Sequence, residues 1–343
     1  MFHRLEAGFH GSPDPWSVTS DEFGVEIDRS FPSVRIPYYM DDIEALATEI
    51  VDADSVVALT GAGISVPSGV PSFRGADGVW KQFDEGQFTY GRFRRDPAGF
   101  WVDRLELQRT MYSGAYEPNA AHRALARVGR SGHLDAIVTQ NTDGLHQRAA
   151  QNYDDGTTRT GEESRASGDG EDPVIEDSDS ETRANDPETR SSISGSRRAV
   201  DDIAIVELHG NAHRVRCRNC GRREPADPVF ERVEAGDVPP TCTCGGVFKP
   251  DVVLFGEQLP ESALRRARTF ARECDVFLAI GSSLVVHPAA SLPRLAASSG
   301  ATVGIVNLDP TPADTIATYV INEDVTTVLP NLHDHVERLS EDE

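Results

Sequence analysis

The chain of 343 residues has no apolar run approaching the roughly 18 residues that a membrane-spanning helix needs. Its opening, Met1-Phe2-His3-Arg4-Leu5-Glu6, has no basic segment followed by an apolar one, so no secretory leader is read there and a cytoplasmic protein is expected. Lysine is almost missing: only Lys81 and Lys249 occur, so nearly all of the 33 positive charges are arginine. They face 56 acidic residues, leaving a net charge of −23. A surface that negative repels nucleic acid and anionic lipid, so neither direct nucleic-acid binding nor a membrane partner is expected. It suits high salt, where screening relieves self-repulsion, and it predicts a halophilic source. Cysteine is also scarce and odd in number, five in all, with four inside 28 residues and Cys274 apart. That clustering looks like metal binding rather than a disulfide framework.

The chain is long enough to bury a large core. A helix is predicted from Asp41, where Ile43, Leu46, Ala47, Ile50 and Val51 recur at helical spacing and two aspartates favour the positive end. Short apolar, β-branched runs follow: Ser55–Leu59, Leu134–Thr139, Ile203–Leu208, Val276–Ile280 and Val303–Val306. Phe100–Met111 reads as a helix, with Phe100, Trp101, Arg104, Leu105 and Gln108 near one face, and Asn119 as the N-cap of another. Apolar strands alternating with helices predict an α/β fold with a parallel sheet covered on both faces. Each run empties into polar or glycine-rich residues, which marks the carboxyl edge where such sheets place ligands. Residues 152–201 are different. They are rich in Asp, Glu, Ser, Thr and Gly with few large apolar residues, and are read as an acidic disordered insert.

Thr60-Gly61-Ala62-Gly63-Ile64-Ser65 follows the first of these strands. Glycines there let backbone N–H groups approach a phosphate, although a structural turn fits a lone glycine loop equally well. A dehydrogenase fingerprint would want glycine three residues after Gly63, where Val66 stands. The pairs Cys217-x-x-Cys220 and Cys242-x-Cys244 lie 21 residues apart with Gly221, Gly245 and Gly246 beside them. Four thiolates close a tetrahedral zinc site and leave no open position for water, so one structural zinc is expected. Cys274, before a buried strand, reads as a small core residue.

Taken whole, Gly61-Ala62-Gly63-Ile64-Ser65 with Ser68-Gly69-Val70-Pro71-Ser72-Phe73-Arg74-Gly75 closely resembles the cofactor loop of the sirtuins, the NAD-dependent protein-lysine deacylases. Gln140-Asn141-Thr142-Asp143-Gly144-Leu145-His146, Glu207-Leu208-His209-Gly210-Asn211-Ala212-His213, Lys249–Glu257 and Gly281-Ser282-Ser283 extend the resemblance over roughly residues 41–330. It implies a Rossmann-like doubly wound sheet with a smaller zinc-binding and helical domain. The Rossmann-like parts would be 41–70, 120–151, 202–212 and 251–330, and the small domain 71–119 and 213–250. A poorly ordered extension (1–40) would precede them and an acidic tail (331–343) would follow. It implies NAD as co-substrate, held by Gly61, Ala62, Gly63, Ser65, Phe73, Arg74, Trp80, Gln140, Asn141, Asp143, Gly281, Ser282, Ser283, Asn307, Asp309 and Asp324. Asn141 and Asp143 would line the nicotinamide pocket, His209 would be the general base, and Val252, Val253, Phe255 and Gly256 would meet the acyl-lysine. His213 would brace the zinc module, and His122, His133 and His146 would be structural.

The implied activity is NAD-dependent protein-lysine deacetylation, with acetylated proteins as partners. Two departures qualify it: Ser72 stands where many sirtuins carry Asp, and the Tyr-x-x-Arg clamp of desuccinylating members is replaced by Arg104 and Leu107. An uncharged acyl group is therefore expected. Removal of another uncharged acyl group, protein ADP-ribosylation, an NAD-linked dehydrogenase and a non-catalytic NAD-binding scaffold are the alternatives.

Overall fold

The computed structural model describes residues 39–73, 78–112, 114–151 and 203–341. The expected insert (152–201), all but the last two residues of the expected N-terminal extension, and Arg74 lie outside the described residues.

Six strands form one parallel sheet: β1 (Val56–Thr60), β2 (Ala136–Thr139), β3 (Ala204–Glu207), β7 (Val276–Ile280), β8 (Thr302–Val306) and β9 (Tyr319–Ile321). Their order is β3-β2-β1-β7-β8-β9, so the chain runs outwards in one direction and then returns to start again beside β1. The crevice at that reversal is the place where doubly wound sheets bind ligands.

Alternation along the strands sorts the core into two layers. Val56, Ala58, Val276, Leu278 and Ile280 pack on one face with α1 (Tyr39–Asp52), α4 (Ala120–Arg130) and α9 (Val325–Glu341). Val57, Leu59, Phe277 and Ala279 pack on the other with α7 (Glu261–Glu273) and α8 (Leu292–Ser298). Every residue of β1 and β7 is buried, which is why both read as unbroken apolar runs. Asn119 caps α4 as predicted, accepting from the amides of Ala121 and His122.

The helix α9 corrects one expectation. Residues 331–343 were expected as an acidic tail, but the helix runs to Glu341 and buries Val328, Leu329, Leu332, His333 and Val336 against α1 and α4. Asp334, Glu337 and Glu341 lie on its outer face, and the apolar residues recur at helical spacing.

A second, antiparallel sheet was not anticipated. It holds β4 (Gly210–Cys217), β5 (Arg223–Pro225) and β6 (Phe248–Val252), in the order β5-β4-β6. Its strands cross the expected domain boundaries at 212 and 250 without a break. With α6 (Ala226–Glu234), α2 (Tyr90–Arg95) and α3 (Pro97–Tyr112) it shares one core, built on Phe88, Phe100, Trp101, Val215, Phe230 and Phe248. The Trp101 indole donates to the Phe248 carbonyl at 2.9 Å, tying α3 to β6. Residues 79–112 and the cysteine module thus share one hydrophobic core.

Candidate functional site

In register, Thr60 lies beside Thr139 and Ile280, Thr139 beside Glu207, and Ile280 beside Val306. The five loops that follow these residues therefore leave the same edge of the sheet. They begin with Gly61, Gln140, Leu208, Gly281 and Asn307.

The loops after β1 and β7 touch backbone to backbone. The Gly61 and Gly63 amides donate to the carbonyls of Ile280 (3.1 Å) and Gly281 (2.7 Å). A Cβ on Gly61 would lie 2.8 Å from the Gly281 oxygen, and one on Gly281 (φ +57°) would lie 2.4 Å from the Ile64 nitrogen. Only glycine permits that approach, so the pattern is a packing necessity as well as a phosphate signature. Ala62 and Ser65 turn inward from this loop, and Ser282 Oγ accepts from the Gln140 amide at 2.9 Å. Ser283 is exposed beside it.

Asn141 and Asp143 are both buried. The Asn141 amide donates to the Gly61 carbonyl (2.9 Å) and Ser65 Oγ (3.1 Å), joining the β2 loop to the glycine loop. Burial raises the Asp143 pKa; the Leu145 amide, donating at 2.9 Å, and the Ser65 hydroxyl oppose the shift. Both residues line a small pocket with Ala62, Ser65, Val70, Pro71, Phe73, Tyr112 and Thr142.

Tyr112 and Thr142 were missed from the sequence. The Tyr112 hydroxyl lies 2.7 Å from Thr142 Oγ1, and burial pushes its pKa up to about 12. A tyrosine at the end of a helix gave no signal, because its pocket partner is 30 residues away. His213 differs in role from the expectation: its Nε2 contacts the Asp143 carbonyl at 3.0 Å, bracing the pocket loop rather than the cysteines.

His209 follows β3, and its Nδ1 lies 2.9 Å from the Gln140 carbonyl. A carbonyl only accepts, so Nδ1 carries the proton and Nε2 keeps a lone pair. Burial lowers the His209 pKa, against the opposing Gln140 bond, so the ring is neutral at neutral pH. The His209 carbonyl accepts from the Val253 amide at 2.9 Å, which seats the histidine against the chain leaving β6.

That chain carries Val252, Val253, Phe255 and Gly256. Phe255 spends both backbone groups on the chain entering α2, donating to the Phe88 carbonyl and accepting from the Tyr90 amide. Its ring meets Trp80 at 5.1 Å, and Trp80 stacks on Phe73 at 5.7 Å, so three expected site residues form one aromatic wall.

The expected adenosine-side residues lie at the far end of the edge. Asp309 is exposed, and the Asn307 side chain donates to its carbonyl at 2.7 Å. Asp324 serves α9: its carboxylate accepts from the Thr326 amide at 2.7 Å and caps the helix. Arg104, one of the two positions of the missing clamp, is buried with its guanidinium over the Phe230 ring, and burial lowers its pKa to about 10. Leu107 is buried on the same helix.

The Sγ atoms of Cys217, Cys220, Cys242 and Cys244 all lie within 4.8 Å of one another. Cys217 and Cys244 are 3.5 Å apart and Cys220 and Cys242 3.8 Å, too long for a disulfide. Tetrahedral zinc with Zn–S bonds of about 2.3 Å sets sulfurs roughly 3.8 Å apart, so the cluster fits that ion. Gly246 is required there, since a Cβ on it would lie 2.7 Å from Cys217 Sγ. Cys274 is buried and distant from the cluster, as expected, with its thiol pushed up to about 12 by burial.

Comparison with known proteins agrees with this geometry. The Sir2 family model matches residues 61–155 and 193–288. An NAD-dependent protein deacetylase of Haloarcula marismortui is 44% identical over 299 residues, which span 87% of this chain and 94% of that protein. An NAD-dependent protein deacetylase of Sulfurisphaera tokodaii is 37% identical over 82% of this chain and 90% of its own. A solved structure described as Sir2-p53 peptide-NAD+ superposes with a TM-score of 0.62 at 30% identity, covering 88% of this chain and 98% of that one.

Proposed function

The chain belongs to the Sir2 family, and on that premise we propose that it removes acetyl groups from protein lysines, passing them to ADP-ribose with release of nicotinamide. The enzyme is NAD-dependent. The reading is carried by His209, a neutral imidazole with Nδ1 fixed on the Gln140 carbonyl, seated between the nicotinamide-pocket loop and the chain leaving β6.

The loops that begin at Gly61 and Gly281 would lie against the phosphates, and their close packing needs glycine, because a Cβ at Gly61, Gly63 or Gly281 would meet the other loop's backbone. When bound, NAD supplies a ribose carbon that accepts the acyl oxygen as nicotinamide leaves. Asn141 and Asp143 would position the nicotinamide end, with their loop held by Ser65, Leu145 and His213. His209 Nε2 would take a proton from a ribose hydroxyl, since the Gln140 bond keeps that nitrogen unprotonated. Trp80, Phe73 and Phe255 would exclude water from above. Acetylated proteins are the partner class this assigns. The zinc would be structural, because four sulfurs within 4.8 Å of one another fill its tetrahedral coordination and leave no position for water.

The test is mass spectrometry of the products from NAD and an acetyl-lysine peptide. Nicotinamide and acetyl-ADP-ribose are expected from the native protein, and a loss of at least about a hundredfold in rate from His209→Ala. NADH formation would instead assign a dehydrogenase, and turnover unaffected by the substitution would remove His209 as the base.

A further inference from the structure

The outer face of the small sheet carries positive charge in a protein that is otherwise strongly negative. Arg216 on β4 pairs in register with Arg223 on β5 and with Lys249 on β6. Three cations thus stand side by side across three strands, an arrangement that costs stability because directly opposed like charges repel. Local rules broken in this way concentrate at functional positions.

This row lines a groove of about 480 Å³ that continues along Val252 and Val253 to the outer face of α7. Some of its charge is spent internally. Asp251 takes Arg214 (3.2 Å) and Arg223 (3.0 Å), Glu207 also takes Arg214, and Glu257 takes Lys249 (3.1 Å). Among the described residues no carboxylate pairs with Arg216, Arg218 or Arg266, all three exposed. Arg218 donates to the Tyr90 hydroxyl, and Arg266 lies over the Phe270 ring. Arg216 and Arg266 therefore border one groove with no carboxylate partner, and Arg218 beside them spends one nitrogen on the Tyr90 hydroxyl.

We propose that this groove receives an acidic segment of the acetylated protein, so that the enzyme selects acetyl-lysines flanked by Asp or Glu. The inference rests on the deacetylase reading and on Val252 and Val253 belonging to the substrate segment, which the groove borders. Guanidinium meets carboxylate through paired hydrogen bonds of short range. Such contacts survive salt that screens the long-range repulsion between two acidic proteins. A nucleic acid is the poorer occupant, because its dense phosphates would meet the negative field of the whole protein.

The experiment compares kcat/KM for acetyl-lysine peptides of equal length with acidic, neutral or basic flanks at one ionic strength. It uses the full chain, Arg216→Gln, Arg266→Gln and the double variant. Acidic flanks are expected to lower KM on the order of tenfold, as two exposed ion pairs together supply. The double variant should lose that preference while turning over the neutral peptide at the native rate. Equal KM for all flanks, or a preference that survives both substitutions, would overturn the inference while leaving the deacetylase reading intact. Absence of turnover on every peptide would strike that reading instead; anisotropy with the labelled acidic peptide then still reports on the groove, and unchanged affinity in the double variant overturns the inference. Competition by a single-stranded oligonucleotide as effective as the acidic peptide would assign the groove to phosphates, and would also overturn it.

Discussion

His122 and His146 lie ring against ring, with centroids 4.9 Å apart, directly beneath the glycine loop. His146 Nε2 is 2.9 Å from the Thr60 hydroxyl and His122 Nε2 is 3.4 Å from Ser65 Oγ, while neither Nδ1 has a partner. Burial drives both pKa values below the ordinary 6.5, that of His146 to about 4, and a proton on His122 would also be repelled by His146 and Arg123. Both rings are therefore neutral in the folded protein, and their contribution to stability is fully present above pH 6.5. As pH falls below 6.5 the unfolded chain binds protons that the folded chain refuses, so stability declines until about pH 4, where folded His146 protonates too. Urea midpoints measured across this window, in enough salt to mute the carboxylates, should fall steadily; a flat profile would mean the rings are not held neutral. Of the polar residues around the loop, those inside short motifs such as Asn141 and Asp143 were legible from the sequence. Tyr112 was not, because a pocket assembled across 30 residues leaves no local spacing to read.

At the level of elements, the buried strands were legible because both faces are covered and the apolar runs are unbroken. The helix α9 was hidden by its charge. Its exposed face holds Asp334, Glu337 and Arg338, and these mask a stripe of Val328, Leu332 and Val336 that closes one face of the sheet. Leu332 is 2% exposed, so Leu332→Ala should cost about 3 kcal/mol in urea unfolding, from lost transfer energy and the cavity left behind. The exposed Glu337→Ala should stay within about 0.5 kcal/mol. A silent Leu332→Ala would return this stretch to the status of a tail. The three-stranded sheet was illegible for another reason: β5 has three residues and β6 contains a proline, too little pattern to mark strands. Its stability depends on the cysteines, since Cys217 and Cys242 share a core with Phe248, Phe100 and Phe88. Removing zinc, by chelation or Cys242→Ser, should loosen that core and abolish turnover although no cysteine borders the site. Metal analysis alongside activity tests this, and full turnover by protein shown to be metal-free would refute it.

Across the whole molecule the charge of −23 acts against compactness. Many of the acidic groups stand in solvent, Glu49, Asp52, Asp54, Glu106 and Glu273 among them. Repulsion between exposed charges reaches about 10 Å at 0.1 M salt and about 3 Å at 1 M, so salt removes most of it. The ion pairs that hold the small sheet respond far less. Asp251 is 13% exposed where it meets Arg214 and Arg223, and contacts so placed are poorly screened. Adding potassium chloride therefore removes a large unfavourable interaction and only a small favourable one. The thermal midpoint should rise as potassium chloride goes from about 0.1 M to about 2 M, and potassium glutamate should act in the same direction if screening is the cause. A midpoint that falls over this range would show that exposed ion pairs outweigh the repulsion, and would remove the physical basis for a high-salt habitat.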